Sequence, residues 1–398
     1  MQTKQAIKKN IRIFYLYEFL SSAMLFAAIT IPFFREWGGI SQTQIQILQS
    51  FFYIFVLTFE LPTGIIADRF GRKTSLVIGS TSWVIGAIVY ASTPSFYIFI
   101  AGEFLFAIGK TLVSGAKEAL IYDNLAHFKQ EERAKSVISR GGTFEFLGMA
   151  AGSLVGAALT EFVAVNHVFM LTAIVQILAI TSLLGLREYK ADKAKSETEK
   201  WTKIFSSGLG NVFRSKDLLP LGIDFMFSSM VMYFVIWFYP VEIYNLGMSA
   251  IFFGIFNITL VLSEAFVLNF QSRFEKLFGG ERGFLLWTSA IGAAGFFIVA
   301  IFDHWLAILL FILTSGAFGL SRYKTYPAIL NRFVDSGNRA TSISTLNLLR
   351  GAAVAIANPI MGYLADWNFE NALFILGFLG LFSIIISYLN TRPLEQEK

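Results

Sequence analysis

Cysteine is absent from the 398-residue chain, which excludes disulfide frameworks, thiolate metal sites and cysteine nucleophiles. Histidine is nearly absent. His127, His167 and His304 fall far apart near loop ends, so no histidine-based metal site is expected. No glycine-rich phosphate loop of the Walker type occurs, which argues against an ATP-driven pump. Charge is scarce as well: 15% of the residues, against about 25% in an ordinary soluble domain. The longest polar stretch, 187–216, carries no catalytic cluster, so an enzyme or a receptor is not expected. What the chain has is apolar surface: 55% hydrophobic and 16% aromatic residues.

Apolar segments recur along the whole length, and about 20 such residues cross a bilayer. Twelve can be drawn: 11–34, 43–66, 74–92, 96–125, 138–161, 167–186, 217–240, 249–271, 283–302, 304–330, 339–364 and 370–389. The first is too long for a cleaved signal and no small-residue cleavage site follows it. Orientation follows from the 32 Lys and Arg. Five lie inside spans, Arg35 alone falls in a loop of the opposite side, and the rest sit at the ends and loops that face the cytoplasm if the N-terminus does. The net charge of +5 is thereby a topology signal and not a nucleic-acid signal. The predicted architecture is an all-α integral membrane protein with both termini cytoplasmic. A six-helix bundle spans 1–186, a cytoplasmic linker 187–216 and a second six-helix bundle 217–398. Within the linker, Trp201, Ile204, Phe205, Leu209, Val212 and Phe213 are spaced like an interfacial amphipathic helix.

The halves are related. A shift of 206 residues sets YEFLSSAM, from Tyr17, against IDFMFSSM, from Ile223, so Glu18 meets Asp224. The same shift sets RAKSVIS, from Arg133, against RATSIST, from Arg339, and Gly156 against Gly362. Two repeated six-helix halves are an architecture of secondary transporters, with the site near mid-membrane. Aligned intramembrane acids are hard to explain by shared apolar composition, because such acids are costly and rare.

Between spans two and three the sequence reads GIIADRFGRK. Its two glycines permit a tight turn, and its bases stay in the cytoplasm. This stretch resembles the loop signature of the major facilitator superfamily at Gly64, Asp68, Arg69, Gly71, Arg72 and Lys73. The preceding FELPTG is similar to a bacterial branch of that superfamily, and SRFEKLFGGER, from Ser272, resembles a degenerate second copy that lacks the aspartate. The resemblance implies a cytoplasmic gate in which Asp123 of span four pairs with Arg72. In span five, Gly148, Gly152 and Gly156 form a small-residue packing face. The stretch also resembles the family's antiporter signature, departing from it at Ser153 and Ala157. Proline stands at the repeat-equivalent position, Pro359. Over the whole chain the resemblance implies a twelve-helix, proton- or ion-coupled carrier of a small molecule. It would work as a monomer by alternating access in a bacterial cytoplasmic membrane, with no cofactor and no nucleic-acid partner.

Eleven charged residues are expected inside spans. Glu18, Glu103, Lys110, Lys117, Asp224, Arg322, Lys324 and Arg350 are the candidates for a substrate or proton cavity, because embedded charges face water or each other. Glu103, Lys110, Ser114 and Lys117 share one helical face of span four. Glu18 and Asp224 are candidates to bind protons, or else to form ion pairs with Lys117 or Lys324. Glu118, Glu145 and Glu264 are expected in structural or gate pairs. For Lys110 a carboxylate partner, Glu103 or Asp224, is expected in preference to a substrate anion. Tyr233, Trp237, Phe238 and Tyr239 are expected to line part of the cavity. The leading reading is proton-coupled export of a small amphipathic or drug-like molecule. The second is a carrier, by uptake or exchange, for an anionic solute held by the embedded Lys and Arg.

Overall fold

The computed structural model describes residues 2–189, 201–334 and 339–396, with side chains outside the description at 2–4, 61–62, 64–68, 201–206, 339–340 and 395–396. Every regular element among the described residues is helical. In chain order these are α1 (Gln2–Ser22), α2 (Thr30–Pro32) running into a π-helical turn (Phe33–Trp37), α3 (Gln42–Phe70), α4 (Arg72–Ser92), α5 (Phe96–His127), α6 (Ala134–Leu159) and α7 (Val165–Leu184). The linker helix α8 (Trp201–Arg214) follows, then α9 (Leu218–Asn245), α10 (Ala250–Asn269), α11 (Gln271–Leu277) and α12 (Glu281–Ile301). Next come α13 (Trp305–Phe311), a π-helical stretch (Ile312–Gly319), α14 (Leu320–Leu330), α15 (Arg339–Trp367), α16 (Phe369–Asn390) and α17 (Pro393–Gln396). Among the described residues ten helices, counting the run Trp305–Leu330 as one, are long and apolar enough to cross a membrane. They coincide with ten of the drawn segments.

The chain forms two compact units. The first comprises Met1–Ser41, Phe51–Thr198 and Ser249–Ile258, and the second Gln42–Ser50, Glu199–Met248 and Thr259–Lys398. In the first, α4 packs along α5 and α7, and α1 along α6 and α7. In the second, α12 packs along α16 and the α13–α14 run, and α9 along α15 and α16. The pairings are the same under the repeat, with α1 answered by α9, α4 by α12, α6 by α15 and α7 by α16. The first unit's interior is aromatic: Tyr90 stacks on Phe99 and Phe169, and Phe26 on Phe169. The second unit's core joins Leu221, Phe225, Phe284, Tyr326 and Leu346.

The first span is not the continuous helix expected over 11–34. α1 stops at Ser22 and regular helix resumes only at Thr30. The cause lies on α6. Gly148, Gly152 and Gly156 bring that helix onto the backbone of Phe19, Ala23 and Leu25; a Cβ at Gly152 would stand 2.7 Å from the Ala23 carbonyl carbon. Freed backbone groups must be satisfied inside protein at membrane depth. Ser21 O accepts from Gln176 Nε2 at 2.9 Å, and Phe26 O from the Thr30 hydroxyl at 3.1 Å. The predicted packing face is therefore in use, against an unwound chain.

The linker helix departs from a purely interfacial placement. Val212 is buried in the second unit's core, and Gly208 closes onto Thr341, whose methyl would lie 3.0 Å from a Cβ there. Phe213 stays exposed.

Candidate functional site

Glu18 sits on the last full turn of α1, just before the chain unwinds. Lys117 of α5 reaches it with a 2.9 Å ion pair and reaches Glu145 of α6 at 3.1 Å. Gly141 makes room beside them, since a Cβ there would press on the Phe14 ring at 2.6 Å. The side chains are 3%, 21% and 42% exposed for Glu18, Lys117 and Glu145, so the cluster grades from a closed end to an open one. Next to it, the Tyr17 and Ser80 hydroxyls share a 2.9 Å hydrogen bond. One ammonium faces two carboxylates. Taken alone, the three groups carry one surplus negative charge when both carboxylates are ionised, and the charges of Glu118 and Lys110 also act on them.

The repeat-related pair is built differently. Arg322 Nη2 donates to Asp224 Oδ2 at 2.9 Å, and both side chains are 0% exposed. The Ser387 hydroxyl donates to Asp224 Oδ1 at 2.6 Å. Arg322 also donates to Leu285 O, Thr288, Ser289, Tyr326 and Ser387. Asp224 and Arg322 thus lie in a closed polar core and not on a cavity wall, which corrects their expected placement. Their charges cancel one for one, and hydroxyls with the Leu285 carbonyl take most of the remaining sites, while Arg322 Nε has no partner among the described residues. The base facing Asp224 is Arg322 and not Lys324, which pairs with Glu264 at 3.2 Å.

The remaining candidates separate. Glu103 is buried, accepting a 2.6 Å hydrogen bond from the Tyr90 hydroxyl within the aromatic interior. It does not line an open face with Lys110, because α4 covers that end of α5. Lys110 is exposed near the middle of α5 and makes no hydrogen bond or ion pair among the described residues. The expected carboxylate partner is not there. Arg350 lies half-buried with its guanidinium 4.4 Å from the Tyr323 ring centroid. Tyr233, Phe238 and Tyr239 are buried, and Trp237 donates to the Tyr233 hydroxyl at 2.7 Å, so this aromatic group serves mainly as core. Among the described residues no group of His, Asp or Glu is placed to hold a metal ion.

At the loop between α3 and α4, Gly71 takes φ 99°, a conformation that favours glycine. The Arg72 and Lys73 N–H groups at the start of α4 donate to the Glu188 carboxylate at 2.7 and 3.2 Å. Lys73 Nζ in turn donates to Leu186 O at 2.8 Å, at the end of α7. Anions are favoured at helix N-termini and cations at C-termini, so both contacts follow the helix dipoles. Arg69 is exposed. Asp123 is half-buried and does not pair with Arg72 among the described residues; Glu188 holds the backbone there instead. Gly64 and the side chain of Asp68 lie outside the described set. Glu188 was not among the residues the sequence singled out, and Glu145 was expected only in a structural or gate pair. The one signal for Glu188 was an acid directly after the sixth span in a Lys-rich stretch.

Two repeated helical units, membrane-length helices and embedded ion pairs define an integral, multi-pass membrane protein of transporter architecture. The family model described as Major Facilitator Superfamily matches residues 13–278, and the chain belongs to that superfamily. It is 30% identical over 128 residues to an uncharacterized transporter of Buchnera aphidicola subsp. Schizaphis graminum, covering 31% of this chain and 30% of that protein. It is 25% identical over 183 residues to the chloramphenicol resistance protein CraA of Acinetobacter baumannii, covering 46% of this chain and 43% of that protein. The chain spans less than half the length of these relatives. The crystal structure of the nucleoside transporter NupG superposes with TM-score 0.80 at 12% identity, covering 96% of this chain and 99% of that one. At that identity the likeness concerns the fold.

Proposed function

We propose that the chain is a secondary transporter, and no enzyme, that exports a small amphipathic organic molecule in exchange for protons by alternating access. It acts as a twelve-span monomer in a bacterial cytoplasmic membrane, with both termini inside. The observation that carries the coupling is the Glu18–Lys117–Glu145 cluster, where two carboxylates share one ammonium and one of the carboxylates is exposed. Protonation there removes surplus charge without leaving a bare cation, so the cluster can load and unload a proton while it stays folded. The likeness to a chloramphenicol resistance protein supports export of an amphipathic solute.

The test is transport in proteoliposomes under an imposed pH gradient, with a panel of aromatic amphiphiles of either charge and none, chloramphenicol among them. Glu145→Gln is expected to fold, to bind, and to lose the dependence of transport on the gradient. Full gradient dependence in both Glu145→Gln and Glu18→Gln would make the cluster structural.

A further inference from the structure

Lys110 is the embedded base that the coupling cluster leaves over. It stands near the midpoint of α5, exposed, with no hydrogen bond or ion pair among the described residues. Crowding by the surrounding protein is the largest influence on its charge, ahead of the charges of Lys117, Glu145 and Glu60. Lys117 and Glu145 already hold each other, and Glu60, half-buried on α3, stops short of an ion pair. A cation at this depth is costly unless it is paired or faces a wet cavity. Ser114, one turn further along the same face of α5, is exposed as well. On the outer side, the Phe104 ring meets Phe55 and Phe59 edge-on, each at 5.4 Å, forming an aromatic wall.

We propose that Lys110 anchors the anionic group of the transported solute, with the Phe55–Phe59–Phe104 wall taking its aryl part. The substrate class is then an aromatic carboxylate or a comparable organic anion. This rests on the transport reading above and narrows it. A lipid headgroup could offer the same anionic chemistry, but mid-span lies far from either headgroup layer.

The experiment is calorimetric titration of the purified full chain with 4-phenylbutyrate, 4-phenylbutyramide and 4-phenylbutylamine, repeated with phosphatidylglycerol added. The wild-type protein is expected to favour the carboxylate over the amide by roughly ten- to hundredfold, the range for a hydrogen bond to a charged group. Lys110→Gln should level the ranking and Lys110→Arg should keep it. The proposal is overturned if the wild-type protein ranks the three alike, including binding none. It is equally overturned if Lys110→Gln keeps the preference, or if phosphatidylglycerol displaces the carboxylate. Should Lys110→Gln fail to fold, the wild-type ranking and Lys110→Arg still decide. A carboxylate bound through Lys110 but moved by no gradient in proteoliposomes keeps the site and removes the carrier reading.

Discussion

Arg322→Met should destabilise the protein strongly, and adding Asp224→Leu should restore much of the loss. Both partners are 0% exposed, so neither can turn to water when the other is removed. Breaking such a pair from one side costs about 3–5 kcal/mol, whereas replacing both members with apolar groups of similar size is often neutral. Against a total stability of about 5–15 kcal/mol this is a large share. The structure also orders the single variants. Arg322→Met leaves the Asp224 carboxylate with the Ser387 hydroxyl. Asp224→Asn leaves the guanidinium with Leu285 O and the hydroxyls of Thr288, Ser289, Tyr326 and Ser387. The second should therefore cost less, about 1.5–3 kcal/mol for the lost charged hydrogen bond. Melting temperatures of the purified wild type, Arg322→Met, Asp224→Leu and the double variant form a double-mutant cycle, with a coupling of about 2 kcal/mol or more expected for groups in contact. Additive single effects, or an Arg322→Met protein as stable as the wild type, would refute the closed-core account.

Gly152→Val should prevent α6 from seating on the unwound segment, because its first carbon already meets the Ala23 backbone; the protein should melt well below wild type. Gly142→Ala on the same helix has nothing within 4 Å, so it should be neutral or raise stability by about 0.5–1 kcal/mol. Equal losses in the two would sink the packing argument. Glu188→Gln should weaken the start of α4 by about 0.5–2 kcal/mol, the range for a lost helix cap. Hydrogen exchange at the Arg72 and Lys73 amides reads it out directly, and unchanged protection would show that the carboxylate does not hold them.

Ten spans were legible because a continuous apolar run of that length has few other fates. The break in the first was not, because 23–29 reads AMLFAAI, as apolar as any helix. The signal lay on another helix, in the glycine spacing of α6, and only packing shows what those glycines touch. The repeat pointed to Glu18 and Asp224, and Lys117 was among the expected bases, whereas for Asp224 the expected Lys324 gives way to Arg322. Arg322 lies one residue off the 206-residue shift from Lys117, so side-chain packing had to choose between Arg322 and Lys324. Shared helical face also proved weaker than depth: Glu103 and Lys110 are seven residues apart on α5, yet α4 buries one and leaves the other open.

The two acid–base pairs explain why a repeat can be symmetric in design and unequal in work. Both halves place an acid on their first helix and a base on their fourth. In the second half the charges match one for one, and hydroxyls with the Leu285 carbonyl fill most of the remaining sites, Arg322 Nε alone staying unpartnered among the described residues of the pair. A buried network so nearly satisfied resists a change in charge, since each loss leaves another group unpaired. In the first half a second carboxylate joins, and part of the cluster is exposed. There a proton can arrive or leave while Lys117 always keeps one carboxylate. The sealed pair then fixes the geometry of its unit, and the open cluster is free to change charge. Lys110 lies seven residues along α5 from Lys117, about 10 Å at 1.5 Å per residue. On the proposed reading, an anion held at Lys110 would sit within Coulombic reach of the cluster, and proton loading and solute binding would each alter the other's free energy.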